Sequence, residues 1–362
     1  MKRKEVILYV FLVVAATLFL SPLAQGPAQA ETFRLTIGAG HPPVVVHVAR
    51  MAHFFVPEVK KRVEARTQHK IEWVEAWAGS VAKLGHEFEA IQGGLLDAGL
   101  VSVPFEPLKL FLHNYCYFTP FASTDVSQVA AVSLKVFEQV PFLRTVFEEK
   151  YNQKFLGGLA MAGSYHLITK FPWKKIEDLK GKKIAAAGPN LSYVKAAGAV
   201  PVQSDFNEAY TSLKTGVYEG WVIFANGVAG FKLYEVARHF TYTNFGAIVG
   251  GVITMNLNRW KRLPKEVQDI LIEVGREYTM DEAKAAAAEG DAAIQVMQKA
   301  GVEFYALPFE EMVRWANMMP DVPNNMAKEA NTKGMPGTQV FKAYITELEK
   351  AGFKFPRRWE IK

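Results

Sequence analysis

Phe33-Arg34-Leu35-Thr36-Ile37 alternates apolar and polar side chains, the period of a half-buried strand, and Gly38-Ala39-Gly40 closes it. From about Val46 to Arg66 the apolar positions change to helical spacing. Alternation returns at Ile71-Glu72-Trp73-Val74-Glu75-Ala76-Trp77 and ends at Gly79-Ser80. Phe88 and Ile91 then mark the inner face of a second helix, Gly93-Gly94 stops it, and Ala98 to Val103 is a continuous apolar run of the kind that is buried on both faces. The order β-α-β-α-β predicts an α/β, doubly wound and mostly parallel sheet.

The middle of the chain repeats the scheme. Tyr165 to Thr169 reads as a strand, Ile176 to Gly181 as a helical turn, Lys182 to Ala186 as a strand leading into Gly188-Pro189-Asn190, and Leu191 to Ala197 as a helix. Leu213-Lys214-Thr215-Gly216-Val217-Tyr218-Glu219-Gly220-Trp221-Val222 has the form of Ile91-Gln92-Gly93-Gly94-Leu95-Leu96-Asp97-Ala98-Gly99-Leu100-Val101: a helix end, a glycine break, an acid, a small residue, a buried strand. Two copies of one design are expected, with a ligand cleft at the carboxyl ends of their strands. Beyond Thr254, Leu263-Pro264-Lys265 starts a long helix that the alanine-rich stretch from Asp281 to Lys299 extends. Gly301 stops it, Val302 to Leu307 returns as a strand, and Phe309 to Phe353 is again helical, interrupted by Pro320, Pro323 and Pro336.

Composition narrows the class. Of 362 residues, 50% are hydrophobic and 22% charged, which excludes low-complexity disorder and matches two compact units. Cys116 is the only cysteine, so an intramolecular disulfide and a multi-cysteine metal site are excluded, and it is expected to pack as a small apolar side chain. Lys2, Arg3 and Lys4 precede an apolar run from Val6 to Leu20, and Ala28-Gln29-Ala30 ends the segment; residues 1–30 read as a secretory signal peptide. The run falls short of the roughly 20 residues that span a bilayer. Loss of three basic groups and Glu5 takes the formal charge from +6 to +4. With no basic run interleaved with aromatics, nucleic-acid binding is not expected.

Catalytic constellations are missing: no Gly-x-Ser-x-Gly, no His-Glu-x-x-His, no phosphate loop and no calcium loop occurs. His86, His113, His166 and His239 lie in unrelated contexts, so neither metal nor cofactor is expected. Asp97 and Glu219 occupy equivalent positions of the two halves, which points to repeated structure and not to an acid/base couple.

The opening strand ending Gly-x-Gly-His, Ile91-Gln92-Gly93-Gly94-Leu95-Leu96-Asp97, Ile176-Glu177-Asp178-Leu179-Lys180-Gly181-Lys182-Lys183-Ile184, and the run from Glu208 to Gly220 together resemble the solute-binding proteins of tripartite ATP-independent periplasmic (TRAP) transporters. The resemblance implies a two-lobed periplasmic binding protein fold of the type II kind. Each lobe would be a mostly parallel sheet flanked by helices, with crossing hinge strands and a long bracing helix. On that pattern 31–157 with 248–289 form the first lobe, and 158–247 with 290–362 the second. It implies no enzymatic activity, a periplasmic location, an organic acid as ligand, and small and large TRAP membrane subunits as partners. Most of the family carries an arginine after the Gly-x-Lys-Ile strand start and another in a Gly-x-Arg pattern opening the second lobe. Ala185 and Tyr165 stand there in this chain.

Without those bidentate clamps the ligand must be held by other residues at strand ends. The candidates are His41, Trp77, Gly79, Ser80, Lys83, Phe105, Glu106, Tyr165, His166, Asn190, Phe224 and Asn226. Trp77, Phe105, Tyr165 and Phe224 would supply flat walls; Ser80, Lys83, Asn190 and Asn226 hydrogen bonds or charge, with Lys83 replacing the lost arginine. This mix suits an aromatic or hydroxylated monocarboxylate better than a small dianion. The competing readings are the binding protein of a sensor or another transporter, and an exported α/β hydrolase using Glu106 or Glu219 with His166.

Overall fold

The computed structural model describes residues 30–204 and 206–362, and the expected export segment lies outside them except for Ala30. Among the described residues nine strands form one sheet: β1 Thr32–Gly38, β2 Lys70–Ala76, β3 Ala98–Ser102, β4 Gln153–Thr169, β5 Lys183–Ala186, β6 Val200–Gln203, β7 Gly220–Ile223, β8 His239–Asn256 and β9 Glu303–Ala306. Their order is β2-β1-β3-β8-β4-β7-β5-β6, with β9 paired to β8. The first lobe therefore runs β2-β1-β3 and the second β6-β5-β7, the same order twice. Asp97 and Glu219 mark the same joint in each copy. Asp97 accepts a hydrogen bond from the Thr36 amide at 2.7 Å and pairs with Arg259 at 3.3 Å. Glu219 pairs with Lys182 at 2.9 Å and accepts from the Lys183 amide at 3.4 Å.

The two expected sheets are fused because β4 and β8, of 17 and 18 residues, run antiparallel through both lobes. At about 3.3 Å per residue each is long enough to cross the molecule. Their first-lobe register is broken between Phe155 and Leu159 and again between Ala160 and Met161; near the second lobe it shifts between Ala162, Tyr165 and Leu167. Irregular pairing orphans strand amides, and the 35-residue helix Lys265–Lys299 supplies their partners. The Leu159 amide donates to Thr279 Oγ1 at 2.9 Å and the Met161 amide to Glu282 Oε2 at 2.8 Å. This close approach needs glycine: a Cβ on Gly275 would lie 1.9 Å from the Leu156 carbonyl oxygen.

The apolar core falls into clusters on the two sides of this crossing. Phe33, Leu35 and Ile37 of β1 pack with Val48, Phe55 and Tyr278, while Ile184 and Ala186 of β5 pack with Tyr193, Phe245 and Trp315. Cys116 is buried among apolar side chains. Helix Gly337–Lys350 buries Val340, Phe341 and Tyr344 with Val129, Val136 and Phe137 of helix Val126–Gln139 and with Phe155 and Val252 of the first-lobe sheet. No helix among the described residues is long and apolar enough to cross a membrane.

Candidate functional site

Strands β1, β2 and β3 are parallel, and the first half of β4 runs with them, so all leave the first lobe at one edge. β7 is antiparallel to β4, and β5 and β6 are parallel to β7. The carboxyl ends of the second lobe's strands therefore point back to the same crossing. Loops from both lobes converge there, the usual location of a ligand in open α/β sheets.

On the second-lobe side, Tyr165, Asn190, Phe224 and Asn226 are brought together. The Tyr165 ring stacks on Tyr117 with centroids 5.5 Å apart and meets Phe224 edge-on at 5.5 Å. Tyr117 OH donates to the Ala187 carbonyl at 2.9 Å and accepts from Asn190 Nδ2 at 3.2 Å. Tyr193 OH donates to the Tyr117 carbonyl. Gly163 leaves room for this contact, since its Cβ would lie 3.2 Å from Phe224 Cβ and 3.3 Å from Asn226 Oδ1. Asn226 also lies beside Glu289 of the long helix. Burial pushes the Tyr165 hydroxyl up to about 12 and raises Tyr117 well above the ordinary phenol value, so both phenols stay neutral hydrogen-bonding groups.

The first-lobe side carries His41, Gly79, Ser80, Lys83 and Phe105. His41 and Phe105 rings lie edge to face at 6.5 Å, and Phe105 is 50% exposed, an apolar ring half open to solvent. The Gly79 amide donates to the Ala39 carbonyl at 3.1 Å and Gly79 adopts φ +70°, folding the loop after β2 against the loop after β1. Ser80 and Lys83 are exposed on that loop. His41 Nδ1 and His47 Nε2 are 3.4 Å apart; burial and the neighbouring His41 hold His47 down at about 3, and burial lowers His41. Neither imidazole supplies positive charge at neutral pH.

Three expected residues are committed elsewhere. His166 faces the opposite side of β4 from Tyr165, as strand alternation requires, and is buried against Phe240 and Tyr242; burial lowers it to about 3. Trp77 donates to Glu75 at 2.6 Å and lays its ring on the first-lobe core. Glu106 is buried and paired at 3.1 Å with Lys109, whose ammonium also contacts Glu89. With Glu219 tied to Lys182, the expected hydrolase groups Glu106, Glu219 and His166 are held in three separate settings.

Sequence reading missed Tyr117, His47 and Glu87. Glu87 is buried and accepts from the Gly40 amide at 3.1 Å, the Gly85 amide at 2.7 Å and, at 3.4 Å, Ser102 Oγ, tying three loops of the first-lobe rim together. The Glu87-Phe88-Glu89 helix start gave the only local signal for it. The two clamp positions contain no substitute charge: Ala185 is fully buried among Ile168, Leu213 and Trp221, and Tyr165 belongs to the aromatic stack.

Comparison with known proteins agrees with this fold. Residues 47–330 match the model of the bacterial extracellular solute-binding protein family 7. The C4-dicarboxylate-binding periplasmic protein DctP of Rhodobacter capsulatus is 33% identical over 184 residues, 49% of this chain and 55% of its own length, so the match spans about half of that relative. A solute-binding protein of Albidiferax ferrireducens is 26% identical over 74% of this chain and 78% of its own. Among solved structures, a TRAP periplasmic solute-binding protein of Desulfovibrio salexigens superposes with TM-score 0.77 at 20% identity, over 88% of this chain and 96% of that one. One from Bordetella bronchiseptica, with bound (R)- and (S)-mandelate, gives TM-score 0.72 at 24% identity over 88% and 99%. The chain belongs to family 7 of the bacterial extracellular solute-binding proteins.

Proposed function

We propose that this protein binds a small organic acid, preferentially an aromatic or hydroxylated monocarboxylate, between its lobes and delivers it in the periplasm to TRAP membrane subunits for ion-gradient-driven uptake. The observation that carries the reading is the composition of the crossing: a Tyr117–Tyr165–Phe224 wall and hydrogen-bonding amides stand where both lobes converge, and Ala185 and Tyr165 occupy the clamp positions. A planar ring with one carboxylate gains from such a wall, whereas a compact dianion would lose its water without two forked cations to replace it. Solved relatives of the same fold hold acids of the favoured kind, among them mandelate, orotic acid and galacturonate. The first lobe comprises 31–157 and 248–289, and the second 158–247 with the chain from 290; the packing of helix Gly337–Lys350 supports returning that helix to the first lobe. Closure about β4 and β8 then brings the two rims onto the ligand.

A thermal-shift panel of aromatic, hydroxy, keto and dicarboxylic acids tests the reading. Aromatic or hydroxylated monocarboxylates should raise the melting temperature without being consumed. Turnover of any acid, or a response confined to C4-dicarboxylates, would overturn it.

A further inference from the structure

The Asn190 amide is oriented by proton bookkeeping. Tyr117 OH has one proton, and it goes to the Ala187 carbonyl at 2.9 Å. Toward Asn190 the phenol oxygen can then only accept, so the NH2 group of Asn190 must face it, at 3.2 Å. This leaves Asn190 Oδ1 pointing away from Tyr117 as a bare acceptor. The residue is 1% exposed, and Oδ1 is buried with no hydrogen-bond partner among the described residues. Backbone packing holds the arrangement: a Cβ on Gly188 would lie 3.4 Å from the Tyr117 ring, so the loop carrying Asn190 rests directly on that ring. Asn190 follows β5 at the edge where the two lobes converge. A buried acceptor left unpaired is costly, and a donor that reaches it recovers the cost.

We infer that Asn190 selects, among organic acids that fit the aromatic wall, those carrying a hydroxyl or N–H donor, and that Tyr117 is the positioning residue that fixes its amide. This rests on the solute-binding reading above. A carbonyl in place of the ligand's hydroxyl sets two acceptors against each other and leaves both unsolvated. A site built around one polar group discriminates strongly against ligands that lack its complement.

Calorimetric titration with the matched pair mandelate and phenylglyoxylate, and with pyroglutamate and its N-methyl derivative, tests the inference on the full mature chain. The donor-bearing member of each pair should bind at least about 100-fold more tightly. Asn190→Leu should bring each ratio below about 10. Tyr117→Phe keeps the ring stack but frees the amide to turn its NH2 group toward the ligand, so it should bind phenylglyoxylate more tightly than the wild type does while losing affinity for mandelate. A merely structural role would weaken both alike, and that result, or equal binding of the two members by the wild type, would overturn the inference while leaving the solute-binding reading in place. If none of the four acids binds, the inference falls, and the thermal-shift panel decides the solute-binding reading separately.

Discussion

Lys83 is exposed on the loop after β2 and makes no ion pair among the described residues, so it is available as a counter-charge at the first-lobe rim. An exposed ammonium is screened by water and salt and contributes about 0.5–1 kcal/mol to such a pair. Lys83→Met should therefore weaken binding of a carboxylate by about 2- to 5-fold at physiological salt, and by more at low ionic strength, with an unchanged melting temperature. Unchanged affinity in a titration at low salt would show that the ligand charge is met elsewhere. Residue identity at the site was only partly legible in the sequence. Asn190 and Phe224 follow strand ends as expected, Tyr165 lies inside the long strand β4, and the structure gathers all three. Tyr117 was hidden because it sits in Tyr115-Cys116-Tyr117-Phe118, where nothing local separates a cleft aromatic from a core one. His166 differs from Tyr165 because adjacent strand residues face opposite ways: its ring packs against Phe240 and Tyr242 on the other face of β4.

Short strands and helices were readable because each carries its own period and a glycine stop. The long crossing strands were not, since β4 and β8 change neighbours midway and their register shifts break any single pattern. Their irregular stretch depends instead on the long helix, through Thr279 and Glu282. Glu282 is fully buried, and burial, reinforced by the charges of Glu289 and Asp281, holds its carboxyl well above the ordinary 4.5 while the Met161 amide opposes the rise. The folded chain thus keeps this acid protonated at pH values where the unfolded chain ionises it. Its contribution to stability is full below about pH 4.5 and declines as pH rises, by at most about 1.4 kcal/mol per pH unit. Glu282→Gln retains a carbonyl oxygen for the Met161 amide but cannot ionise. Melting curves should coincide with wild type at pH 4 and show the variant more stable at pH 8, the gap widening in between; a gap independent of pH would contradict the buried-acid account.

At the scale of the molecule, the duplicated plan was visible in the matched runs ending at Asp97 and Glu219, and the topology repeats it strand for strand. What the repeat did not reveal is how the copies are joined, because that depends on tertiary contacts remote in sequence. β4 and β8 carry one continuous sheet through both lobes, the long helix packs along β4, and helix Gly337–Lys350 returns from the end of the chain to the first-lobe core. Neither lobe can lose its strands without exposing the other's edge, so the two should unfold together. A ligand bound only by the native state, at about 100 times its dissociation constant, adds about 2.7 kcal/mol, which for a chain of this length corresponds to a rise of about 4 °C. Scanning calorimetry should accordingly show one transition, and an organic acid that binds should move the whole peak by that amount. Two resolved transitions, or a ligand that shifts only one of them, would show that the lobes are energetically separate and that the crossing strands act as a flexible tether.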